Sequence, residues 1–434
     1  MRRIHLIPTF CSIVIVSVVA WSGFVNAAEA PMSAEALAER FSKLAEEQGV
    51  PNTYDEKVRE NGITELYLDG PSYQGKATRV FALYRAPTNP VPLPSGKIPA
   101  VVLVHGGGGS AFEEWVEKWN SEGFAAISIA VEGQTDTKKE GKGKNKWARH
   151  AHAGPARPGI YADTEKPIHQ QWMYHAVSAV IRARNFLESK PEIDRENIGV
   201  AGISWGGVIT STTMGFDSDF AFAIPIYGCG FLDTMDNQYK RALWDDEVYR
   251  EYWEPANRIS NFSHPSLWLT WRDDRHFSLD AQAQTYLKLE GDYAVSIKPD
   301  IGHSHVKGWS PPESYQFAKH VVTHGVPWVK PMDAALTSSG SAQAQFHFDL
   351  PLDEYQIVGA SVHYSKKTGH TSDGEWVQGP AEFGLYMARP NTYIAIYDEL
   401  PSDVTRWFIN VQVRIHHKGE AGETYTVSSR VLIN

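Results

Sequence analysis

Cysteine is almost missing: the 434 residues contain two, Cys11 and Cys229. Cys11 lies in an N-terminal stretch expected to be removed, so one thiol remains and an intrachain disulfide is impossible. Basic charge is also scarce, 41 Lys and Arg against 51 Asp and Glu. That balance argues against nucleic acid or an anionic membrane as partner, because both recruit proteins mainly through cations. Past the first thirty residues no apolar run approaches the ~20 residues that cross a bilayer. There are no internal repeats, no G-x-x-x-x-G-K-[ST] phosphate cradle, and no dinucleotide G-x-G-x-x-G with an acidic partner, so no cofactor is expected. At ~150 residues per domain, what remains is room for two or three domains with full cores.

The first residues read as an address. Arg2 and Arg3 precede a mostly apolar run at 6–21, and Val25-Asn26-Ala27 offers the small residues of a cleavage site, which predicts a signal peptide over 1–27 and a secreted or periplasmic product. Loss of Arg2 and Arg3 leaves 39 basic against 51 acidic groups, a charge of −12. Residues 28–59 form an N-terminal helical segment, with Leu37, Phe41 and Leu44 at helical spacing, Ser33 as N-cap and Gly49-Val50-Pro51 as stop.

From 60 to 330 the rhythm is that of an α/β domain. Continuous apolar runs at 98–104, 124–131, 198–203, 221–227 and 266–271 alternate with helical patterns such as 172–188, which predicts a mostly parallel sheet flanked by helices. Residues 331–342 read as a Ser/Gly/Ala-rich linker. Beyond it, 343–434 alternate apolar and polar residues at period two, with turn residues between runs, which predicts a β-sandwich-like accessory domain.

The sharpest motif is Gly202-Ile203-Ser204-Trp205-Gly206, a G-x-S-x-G that follows an apolar strand and precedes a helix-opening run. Small residues on either side let the backbones pass at a tight strand-to-helix turn, which presents Ser204 as a nucleophile. In such a fold the acid and then the base follow the serine in the chain. The strand 266–271 ends at Arg272-Asp273-Asp274, and the strand 294–297 leads to Gly302-His303-Ser304-His305. Asp274 is preferred to Asp273 as acid, and His303 to His305 as base because Gly302 permits a sharp turn; both alternatives stay open. Val104-His105-Gly106-Gly107-Gly108-Gly109 supplies unobstructed backbone N–H groups, so Gly107 and Trp205 are the expected oxyanion donors.

These residues resemble the α/β-hydrolase superfamily. Trp253-Glu254-Pro255-Ala256, His264-Pro265-Ser266-Leu267-Trp268 and the stretch from Asp273 to Asp280 are similar to secreted bacterial acetyl xylan esterases, dienelactone hydrolases and prolyl-oligopeptidase-type enzymes, over about 60–330. In such relatives the acid stands in a Gly-Thr-Asn-Asp-like turn, which the resemblance places at Asp274, with Trp271-Arg272 in place of Gly-Thr. The resemblance implies a serine esterase acting on a small ester or acylated carbohydrate. A peptidase is the nearest rival, although there is no room for a propeller gate, and an inert glycan-binding protein is the rival of another class.

Trp205 and Trp309 are expected to border the substrate, since aromatic faces stack on sugars and acyl groups alike. The loop 136–166 carries Lys138, Lys139, Lys142, Lys144, Lys146 and Arg149 and is either a cap for an anionic substrate or a solvated insertion. His150 and His152 lack the further ligands of a metal site, and His320 and His324 lack the Glu of H-E-x-x-H, so no metal is expected.

Overall fold

The computed structural model describes residues 32–46, 51–139, 147–324, 328–348, 354–367, 375–417 and 420–433. The expected leader lies outside the described residues, as do Lys142, Lys144 and Lys146. Among the described residues no helix is long and apolar enough to cross a membrane.

Aliphatic runs without polar alternation become strands covered on both faces. Ile98–Val104 and Ala125–Ile129 are buried along almost their whole length. They form a parallel sheet with Ile193–Ile203, Phe222–Ile226, Ser266–Trp271 and Tyr293–Lys298. Ile98–Val104 sits between Ala125–Ile129 and Ile193–Ile203, so the chain first steps one way across the sheet and then the other. The crevice at such a switch point, beyond the carboxyl ends of the strands, is where open α/β sheets place their ligands. Helix Trp172–Glu188, nearly all of it buried, and the fully buried helix Trp205–Met214 cover the sheet.

Three antiparallel strands, Thr53–Val58, Thr64–Tyr73 and Lys76–Arg85, extend one side. Before them the helix Ala34–Glu46 buries Leu37 and Phe41, and Ser33 Oγ caps it by accepting the Ala36 N–H at 3.2 Å.

Past the α/β region the period-two runs do form strands. Glu420–Ser428, Arg406–His417, Tyr355–Ser365 and Val377–Pro380 pair antiparallel and join the central sheet where Ser428 pairs with Val295. Val329–Leu336, Ala342–Phe348, Thr392–Tyr397 and Glu382–Leu385 make a second antiparallel sheet. Where the composition suggests a linker, 331–336 are therefore strand. Pro331, which has no N–H to donate, stands where the register shifts, and the Ser/Gly-rich residues serve a hairpin turn in which Gly340 takes φ +86°.

A closed ring of buried hydrogen bonds joins the C-terminal strands to the strand that leads to His303. The Ile297 N–H donates to Ser428 Oγ at 2.8 Å, Ser428 Oγ donates to Asn410 Oδ1 at 2.6 Å, and Asn410 Nδ2 donates to the Ile297 carbonyl at 2.9 Å. Removing one member strands the others in a dry interior. Asn410→Ala is expected to lower the unfolding free energy by about 1–3 kcal/mol in urea titrations; a wild-type midpoint would mean the ring contributes nothing.

Candidate active site

Ser204 stands at the end of Ile193–Ile203 and opens the helix Trp205–Met214. Its φ of +59° is a conformation that L residues with a side chain avoid, at a cost of about 1–3 kcal/mol. The neighbours explain why it persists. A Cβ on Gly202 would stand 2.1 Å from the Gly206 carbonyl oxygen, and one on Gly206 would stand 2.0 Å from that of Val104. The Ser204 N–H donates to the Ile226 carbonyl at 2.8 Å. Only glycines permit this crossing of strand and helix, and the crossing aims the hydroxyl outward.

His303 lies between the serine and a carboxylate. Its Nε2 is 2.9 Å from Ser204 Oγ and its Nδ1 is 2.6 Å from Asp274 Oδ2. Asp274 is buried, and its other oxygen accepts the N–H groups of His276 and Phe277 at 2.7 and 3.2 Å. A carboxylate held this way keeps the proton on Nδ1 and leaves Nε2 free to accept from the serine. The imidazole is gripped by rings: Tyr227 at 4.5 Å, His276 at 4.8 Å and Phe277 at 6.1 Å between centroids. Gly302 takes φ +70° at the turn, and the Tyr227 hydroxyl donates to its carbonyl at 2.8 Å.

The residues held open as alternatives have other partners. Asp273 pairs with Arg272 at 2.9 Å. His305 starts the short helix His305–Trp309, and its Nε2 accepts the Gly106 N–H at 2.9 Å. His105 takes the other end of the same residue: its Nδ1 donates to the Gly106 carbonyl at 2.7 Å, while its Nε2 accepts from the Val131 N–H at 3.0 Å. The Gly106 carbonyl and the Gly107 N–H belong to one planar peptide and point in opposite directions. Fixing the carbonyl therefore fixes the direction of the Gly107 N–H, the expected oxyanion donor. His105 appears in the sequence motif without an evident task, and this clamp is that task.

Trp205 is 7% exposed, and its ring meets Trp172, Tyr161 and Tyr239 at 5.6–5.8 Å between centroids. Its ring is enclosed by these neighbours rather than offered as an open stacking face. Trp309 stacks on Trp115 at 5.8 Å and lies 5.2 Å from Phe112, in the aromatic cluster that backs His305. Among the described residues no group of three His, Cys, Asp or Glu could hold a metal ion.

Residues 54–257 match the acetyl xylan esterase family, a span that includes Ser204 and the glycine loop and stops before Asp274. Dipeptidyl-peptidase 5 of Schizosaccharomyces pombe is 24% identical over 186 residues, which are 40% of this chain and a quarter of that protein's length. Among solved structures, an acetyl xylan esterase from a Paenibacillus species is 21% identical with a TM-score of 0.45, covering 62% of this chain and 89% of that one. Acetyl xylan esterase 1 from a Thermoanaerobacterium species is 17% identical with a TM-score of 0.47, covering 67% and 95%.

Burial pushes the His105 and His305 imidazoles down to about 4, so both stay neutral and able to accept. In the unfolded chain they take up protons below about 6.5. Their contribution to stability is complete above that value and is lost as pH falls from 6.5 toward 4. The expected result is a lower unfolding free energy at pH 5 than at pH 7.5 in urea titrations, by about 2 kcal/mol per histidine, with a smaller drop in His305→Gln. A flat profile would overturn this account.

Proposed function

We propose that this chain is an exported serine esterase of α/β-hydrolase type that removes short acyl groups from carbohydrate through an acyl-enzyme. The observation that carries the reading is the hydrogen-bonded chain from Ser204 Oγ through His303 to Asp274, at 2.9 and 2.6 Å, with the serine on a strained turn.

Ser204 Oγ attacks the ester carbonyl carbon while His303 Nε2 takes its proton. The carbonyl oxygen gains negative charge, which the N–H groups of Gly107 and Trp205 meet without needing to reorganise. The intermediate collapses, the C–O bond to the alcohol breaks, and the alcohol leaves with the proton from His303. Water then attacks the acyl-serine, with His303 again as base, and releases the acid. Asp274 holds the imidazole tautomer and offsets the positive charge it carries in each step. The acetyl xylan esterase family match supports a short acyl group on a sugar, and the basic, apolar, small-residue order of 1–27 supports export. The similarity to a dipeptidyl-peptidase favours one second reading, a peptidase, and the same residues would serve it.

Purified protein assayed on 4-nitrophenyl acetate, acetylated xylan and a Pro-containing peptide separates the two. The esters are expected to turn over and the peptide not, and Ser204→Ala is expected to lower kcat at least ~10³-fold. Ester turnover that survives in the Ala variant would sink the mechanism, and preference for the peptide would sink the substrate class.

A further inference from the structure

Two neighbouring glycines of the His105–Gly109 loop touch different things. A Cβ on Gly106 would stand 3.0 Å from Ser204 Cβ, and one on Gly107 would stand 2.7 Å from Arg157 Nη2. A guanidinium therefore lies against the oxyanion loop, one residue along from the nucleophile. Its position is fixed at two of its nitrogens. Nε donates to Glu132 Oε1 at 3.1 Å, and Nη1 donates to the Gly159 carbonyl at 2.6 Å. The guanidinium carbon sits 4.8 Å from the centre of the Trp205 ring. Nη2 has no hydrogen-bond partner among the described residues, and the side chain keeps about a fifth of its surface exposed.

The surroundings share the sign. A cleft of about 80 Å³ borders the same loop and is lined by Lys139, Trp147 and Arg149 together with Gly108 and Glu132. The Trp147 indole donates to the Gly108 carbonyl at 2.9 Å, which ties this wall to the loop. Three cations, Lys139, Arg149 and Arg157, thus face one carboxylate, Glu132. In a chain with an acidic balance, that local excess is placed along the His105–Gly109 loop.

The geometry points to Arg157 as a specificity residue that binds an oxyanion of the substrate, a carboxylate or a sulfate carried on the sugar that bears the ester. This rests on the esterase reading above and goes beyond it, naming the charge of the substrate. A guanidinium anchored at two nitrogens has little rotamer freedom left to lose when its third nitrogen meets an anion. Burial against Trp205 and the glycine loop reduces the screening that water would impose on that contact. An uncharged sugar leaves Nη2 in water and gains nothing from it.

Three matched substrates test the assignment: O-acetylated methyl glucoside, the corresponding glucuronide, and the glucoside 6-sulfate, each assayed with wild type, Arg157→Gln, Arg157→Lys and Ser204→Ala. Wild type is expected to favour at least one anionic ester by tenfold or more in kcat/KM. Arg157→Gln should bring that preference close to one through KM, and Arg157→Lys should retain part of it. The glucuronide and sulfate arms tell which anion is read. Equal losses on all three esters in Arg157→Gln, or no anionic preference in wild type while the neutral ester is cleaved, would overturn the role of Arg157 and leave the esterase intact. Turnover of all three by Ser204→Ala would overturn the esterase reading itself and this inference with it.

Discussion

The carbonyl oxygen of Val104 occupies the place where a side chain on Gly206 would be. This contact jams the first turn of the nucleophile helix against the end of the neighbouring strand. Ser204 follows one of these two strands and the His105–Gly109 loop follows the other, so neither can drift from the other without opening a backbone contact. The serine's strained backbone persists for the same reason: its N–H is held by the Ile226 carbonyl and its helix is buried throughout. The Ser204 hydroxyl and the N–H groups of Gly107 and Trp205, the proposed nucleophile and oxyanion donors, are thus set by main chain packed on main chain.

Asp274 and His303, the proposed acid and base, are positioned differently, from the ends of two further parallel strands that the C-terminal segment braces. The ring of hydrogen bonds among Ile297, Ser428 and Asn410 ties down the strand before His303. Arg406 reaches Asp280, shortly after the acid, at 2.9 and 3.0 Å. Arg272 spans Asp273 and the buried His363, whose imidazole burial pushes down to about 3 and thereby keeps uncharged beside the guanidinium. His305 then links the two systems, since it follows the base by two residues and holds Gly106.

Much of the site was legible in the residues because its rules are local. Gly202 and Gly206 flank a serine for steric reasons, Gly302 marks a turn, and apolar runs covered on both faces read as parallel strands. The C-terminal strands were legible as strands, because period two is a local property, but their partner was not. Joining the central sheet rests on the pairing of Val295 with Ser428, residues 133 apart in the chain, and no periodicity encodes that. Arg157 was passed over for a related reason. The basic residues that stood out form a run, whereas Arg157 sits alone in a Pro- and Gly-rich stretch and gains its place through Glu132, Gly159, Gly107 and Trp205. The ring contacts of Trp205 and Trp309 were not legible, because composition cannot tell a ring facing solvent from one facing other rings.

The enclosure of Trp205 limits how the proposed site can diversify. Residues beside a nucleophile are common targets for reshaping an acyl pocket in directed evolution. Here the indole is wedged among Trp172, Tyr161 and Tyr239 beside a guanidinium, and its backbone N–H is one of the two proposed oxyanion donors. A smaller side chain would empty a cage and loosen the donor at once. New selectivity is more accessible from the segment that carries Arg157 and Gly159, which touches Gly107 and Trp205 without forming the strand-to-helix crossing.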